Sequence, residues 1–167
     1  MARVPLIPLD AIPPELRGAI ERGLGSQMLS SPRPVQAWAN RPPIALAWLE
    51  LLERFYQDSL LSERLRELLR LKVASITTCQ ACQLARKSDT VSEEDIACLS
   101  LDSDRFTPAE QAALVFAELF AGNYQAIDDQ HYARLAECFT PAEVAEISMF
   151  CGLMLAGGRL TYVLQAY

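Results

Sequence analysis

Glu67-Leu-Leu-Arg-Leu-Lys-Val-Ala-Ser-Ile-Thr-Thr-Cys79-Gln-Ala-Cys82-Gln-Leu-Ala-Arg86 is the stretch on which both fold and chemistry turn. Its first half reads as a helix. Leu65, Leu68, Leu69, Val73 and Ile76 recur on one face, and Ser62 stands where an N-cap belongs. At 100° per residue Glu67 lies on the opposite stripe, with Leu60, Leu71, Ala74 and Thr78. That stripe is mostly apolar too, so both faces are expected to be covered and Glu67 is a candidate buried carboxylate. The plainer alternative is a surface glutamate paired with Arg64 or Arg70.

Straight helix would hold Glu67 about 18 Å from Cys79, too far for contact. A turn at Thr77-Thr78, with the next helix folding back, changes the geometry. Position 82 then falls near 73, and 86 near 69. Arg86 comes within a turn of Glu67 and is expected to pair with it, because a buried carboxylate needs a cation or a proton.

Cys79 and Cys82, at a helix start behind the candidate caps Thr77 and Thr78, can close a small disulfide ring. The partial positive charge of a helix N-terminus lowers a thiol pKa, and thiolate is the species that attacks peroxides and disulfides. On position alone Cys79, nearer the helix end, is the better nucleophile. The same spacing also suits two inert buried thiols. Zinc would need four ligands, and neither a second CxxC nor a pair of histidines exists; His131 is the one histidine. A thioredoxin-type site would need a βαβ context, and strand signals are nearly absent.

Helix signals continue in both directions. Leu16, Ala19, Ile20 and Leu24 mark an amphipathic helix after Pro13-Pro14. The three prolines from Arg33 to Pro43 read as irregular structure around a short helix at 35–39. Helices are expected over 44–58, over 92–99 with Ser92 as cap, over 128–138, and from Pro141 almost to the C-terminus. The last is apolar on most sides and calls for cover from other helices or another subunit. Phe106-Thr-Pro-Ala-Glu110 and Phe139-Thr-Pro-Ala-Glu143 are identical helix starts. Each has a Thr N-cap, Pro at the first helical position, Glu at the third for a capping box, and a Phe for a hydrophobic staple. Dissimilar sequence between them argues against a repeat array. The expectation is all-α: one domain over 1–167, a helical bundle of seven or eight helices.

Composition sets limits on partners. An apolar fraction of 51% with 22% charged residues describes a folded globule, and leaves room for apolar surface between subunits. A formal charge of −6 repels phosphate backbones and anionic bilayers, so neither nucleic acid nor a membrane is expected as a partner. The N-terminus has one cation and a proline-broken apolar stretch, without the apolar core of a secretory signal. The most apolar tract, 147–156, is about half the roughly 20 residues that span a bilayer. An odd count of five cysteines favours a reducing cytoplasm. Cys98, Cys138 and Cys151 sit among apolar residues and read as small core side chains; His131 reads as part of an exposed first turn.

The quoted stretch resembles the signature of the carboxymuconolactone decarboxylase / alkyl hydroperoxide reductase D-like family: a glutamate, eleven residues, CxxC, three residues, then a histidine. The Thr-Pro-Ala-Glu helix, the polar turn and second start before an apolar helix, and the opening Pro13-Pro14-Glu15-Leu16 are similar as well. The likeness therefore runs along essentially the whole chain. It implies the D-like helical fold, a homotrimer or homohexamer, and a peroxiredoxin-type oxidoreductase with neither bound cofactor nor metal. By that resemblance Cys82 is the peroxidatic cysteine, Cys79 resolves the disulfide, and Glu67 anchors a proton relay. The substrate is then a hydroperoxide and the reductant a dithiol or protein thiol, such as a lipoyl group.

Arg86 occupies the position of the family's histidine. Arginine stabilises a thiolate but cannot accept a proton, so the relay is broken as written. Two other readings stand beside the peroxidase. One is the decarboxylase branch, acting on a carboxylated lactone, which does not depend on a CxxC pair. The other is a non-catalytic oligomeric scaffold or redox sensor that kept the fold and lost the relay.

Overall fold

The computed structural model describes residues 1–77, 80–99 and 104–167. Among these residues there is no strand, and nine α-helices follow one another: α1 Pro14–Gly25, α2 Arg33–Trp38, α3 Pro42–Gln57, α4 Glu63–Ile76, α5 Gln80–Leu84, α6 Glu93–Cys98, α7 Pro108–Gly122, α8 Asp129–Ala136 and α9 Pro141–Leu164. The all-α class is as the periodicity predicts; the count exceeds seven or eight because short segments such as α2 and α5 close as separate helices. The chain divides into two compact units, Met1–Ser59 with Arg159–Tyr167, and Leu60–Gly158.

In the first unit, Leu16, Ala19 and Ile20 of α1 pack with Ile12, Val35, Ala39, Ala45 and Leu49. Gly23 is required there, since a Cβ would stand 2.9 Å from Leu29. α3 starts at Pro42, earlier than expected: Pro42-Pro43 fill the first two helical positions, where the missing N–H groups cost nothing. The C-terminal residues close this unit. Arg3 donates its backbone N–H to Leu164 O at 2.8 Å, and Arg33 Nε donates to Tyr167 O at 3.0 Å.

The second unit is built on α4, which packs along α7. Nearly every side chain from Leu65 to Ala74 is buried, three charged ones included. Leu68 and Leu71 meet Val91, Leu99, Phe106 and Leu114. Ser62, Ser92, Thr107 and Thr140 cap their helices as expected, the last three in capping boxes with Asp95, Glu110 and Glu143. Phe106 is buried beside Leu114, one turn deeper than a staple partner, because Gln111 takes the fourth helical position and donates to Phe106 O instead.

α9 runs as expected from Pro141 almost to the C-terminus. The helix continues through Gly157-Gly158 to 24 residues, and by length and composition alone it could cross a membrane. A core helix passes the same test, and Ile147, Phe150, Cys151 and Leu153 are buried. Gly158 lies against Thr77, whose Oγ1 would be 3.4 Å from an added Cβ, an ordinary contact. Cys138 is exposed rather than a core side chain, since it follows α8 on its open side; Cys98 is half-buried.

Candidate active site around Cys82

Glu67 is 3% exposed and Arg70, one turn on, 6%. The i, i+3 spacing lets the guanidinium meet the carboxylate as a fork: Nε donates to Oε2 at 2.7 Å and Nη2 to Oε1 at 2.6 Å. A buried ion pair offsets its desolvation only when its other hydrogen-bonding groups are also satisfied. Here they are. Arg70 Nη1 donates to Cys82 O at 2.6 Å and Nη2 to Ala85 O at 2.7 Å, while the Lys87 backbone N–H donates to Glu67 Oε1 at 3.0 Å.

These bonds fold α5 back on α4. α4 ends at Thr77, whose hydroxyl donates to Val73 O, and Gln83 Nε2 donates to Ala74 O at 3.1 Å. The expected return of the chain is therefore present. A helix of five residues has few internal bonds to hold it. Its carbonyls are taken up by two arginines, Arg70 as above and Arg86, whose Nη1 donates to Gln83 O.

Arg86 does not pair with Glu67. Its Nε and Nη2 donate to Glu93 at 2.9 and 3.1 Å, and Arg70, nearer on the same helix, takes both Glu67 oxygens. The Glu93 hydrogen bond raises the Arg86 pKa, with Glu67 a smaller through-space contributor. The buried carboxylate was thus foreseen, and its partner was Arg70, weighed only for a surface glutamate. The other group missed by sequence reasoning is Lys87. Burial and then Arg70 push its ammonium down to about 8, against the pull of Glu67.

Cys82 is half-buried and disulfide-bonded, while Cys98, Cys138 and Cys151 are free. Cys79 lies outside the described residues. Burial pushes the Cys151 thiol up to about 12, which leaves it unreactive at neutral pH. Among the described residues no three His, Cys, Asp or Glu side chains gather as a metal site. His131 Nδ1 lies 2.6 Å from Asp128 Oδ1, within the first-turn capping box of α8.

No family model matches the sequence, and no curated protein matches it significantly. Solved structures do. The debrominase Bmp8, as a cysteine variant bound to 2,3,4-tribromopyrrole, superposes with a TM-score of 0.82 at 19% identity, over 98% of this chain and 89% of that one. An uncharacterized peroxidase-related protein from Ralstonia eutropha, described as an alkylhydroperoxidase AhpD core, gives 0.73 at 18% identity, over 99% and 91%. A protein of unknown function from Agrobacterium tumefaciens, also related to AhpD, gives 0.67 at 23% identity, over 78% and 94%. The fold is alkyl hydroperoxide reductase D-like. At these identities the likeness is one of backbone. Within this D-like fold, Glu67, Arg70 and Cys82 come together, and Arg86 joins them through α5 rather than through Glu67.

Proposed function

We propose that the chain is a thiol-dependent peroxidase or disulfide reductase that works through a Cys79–Cys82 dithiol. The observation that carries this reading is a disulfide-bonded Cys82 on a short helix anchored by a buried Glu67–Arg70 pair. In the reduced enzyme the Cys82 thiolate attacks the outer oxygen of a hydroperoxide. The O–O bond breaks, the alkoxide leaves with a proton as alcohol, and Cys82 becomes a sulfenic acid. The Cys79 thiolate then attacks that sulfur, hydroxide leaves as water with a second proton, and the disulfide closes. A dithiol or protein thiol, such as a lipoyl group, supplies two electrons to reopen it.

Glu67 does not shuttle protons in this reading, because both its oxygens already accept guanidinium N–H groups. We assign proton delivery to Lys87, whose backbone N–H meets Glu67 and whose ammonium is drawn by burial down to about 8. Arg86 supplies positive charge at α5 and no proton.

The test is hydroperoxide consumption with dihydrolipoamide as reductant. Cys82→Ser should abolish turnover, and Cys79→Ser should stop it after one equivalent. Unchanged turnover in Cys82→Ser would remove the proposal. Likeness to Bmp8 favours a second reading, reductive dehalogenation, in which the same dithiol supplies two electrons, bromide leaves and a proton takes its place. Bromide release from 2,3,4-tribromopyrrole without peroxide consumption would select it. As a reducing compartment would keep the dithiol open, we place the protein in the cytoplasm, as a homotrimer or homohexamer.

A further inference from the structure

A cavity of about 600 Å³ opens within the Leu60–Gly158 unit, lined by residues of α4, α7 and α8 together with Leu99, Phe106, Glu137 and Cys138. Its volume lies in the range of small-molecule sites, about 300–1,000 Å³. Leu99, Phe106 and Leu114 give it apolar walls, and Lys72 and Arg134 bring cations to it. None of these residues takes part in the Cys82 site.

Lys72 is the unusual feature. It is 4% exposed, and its ammonium donates to Leu99 O at 2.7 Å. An ammonium taken out of water needs a counter-charge. Among the described residues it comes from Glu118 Oε2 at 2.5 Å, on a side chain that is itself 60% exposed. The cation is fixed in the wall while the anion reaches it on a solvated arm. Water can replace what the exposed carboxylate gives up, so the arm can swing away once another anion takes its place on the ammonium. An anion carried on an apolar body would satisfy the ammonium equally well and also cover the walls.

We propose that this cavity binds a small organic carboxylate, whose charged end takes the place of Glu118 on Lys72 and whose apolar body lies against Leu99, Phe106 and Leu114. Arg134 adds long-range attraction at the mouth. The site is independent of the dithiol chemistry, and its test does not involve turnover.

The probe is sodium benzoate, titrated into the full chain and followed by amide chemical shifts in two-dimensional NMR, with benzamide as the neutral control. Benzoate should give saturable shifts at Lys72, Leu114 and Glu118, and benzamide should bind about tenfold more weakly, having lost the charge. Glu118→Gln removes the competing anion from an exposed position. It should bind benzoate several-fold more tightly than the wild type. Lys72→Met should lose the site. Equal shifts with benzamide, or benzoate affinity unchanged or weakened in Glu118→Gln, would overturn the proposal, whether or not Lys72→Met folds.

Discussion

Arg70 makes four hydrogen bonds, two to Glu67 and one each to Cys82 O and Ala85 O, so a single side chain joins a buried charge to the chain around Cys82. Arg70→Met should cost about 3–5 kcal/mol, because it strands a buried carboxylate, and Glu67→Gln in the same chain should recover part of that loss. Urea unfolding measures both. A loss below about 1 kcal/mol for Arg70→Met would show that the pair is not buried as described. In the proposed reaction Lys87 carries the pH dependence: its ammonium, drawn by burial down to about 8, is the donor below that pH and is lost above it. Peroxide turnover should therefore decline on the alkaline side through pH 8, and Lys87→Met should be slower and lack that limb. A Lys87→Met profile that matches the wild type would assign the proton to water. The burial of Glu67 was legible because its stripe is apolar. Its partner was not, because Arg70 at i+3 reads like any surface pair, and only the fold-back of α5 encloses it. The Arg86–Glu93 pair crosses a loop, where helical periodicity offers no guide.

At the scale of elements, the helix starts were the most readable features, because capping is local chemistry. Thr107 and Thr140 each accept an N–H from three residues on and donate their own backbone N–H to the matching Glu carboxylate. Thr107→Ala and Thr140→Ala should each cost about 1 kcal/mol by thermal unfolding, with the two losses additive. A neutral result for both would mean that packing alone fixes these termini. Element ends defined by tertiary contact were less readable. α9 is the exception, running through Gly157-Gly158 almost to the C-terminus as its pattern predicts. α5 shows the limit: its length follows from two arginines on other segments and could not be read from five residues of its own.

For the whole molecule, the apolar composition leaves large side chains such as Val115 and Met149 in solvent. The proposed homo-oligomer would cover surface of this kind, and light scattering at micromolar concentration should return the mass of a trimer or hexamer; a monomer would contradict it. The D-like fold was legible because its signature sits where two helices reverse, and because helix starts recur along the chain. The chemistry was less so: the one signature position that departs from the family, Arg86, is also the one whose partner the sequence misplaced. In the proposed reaction Cys82 is half of a working dithiol. The most direct test is mass mapping of thiols before and after one equivalent of hydroperoxide, and again after dithiol. Two thiols should be lost, at Cys79 and Cys82, and fully restored, with Cys98, Cys138 and Cys151 reduced throughout. Loss at any other pair, or no loss at all, would contradict it.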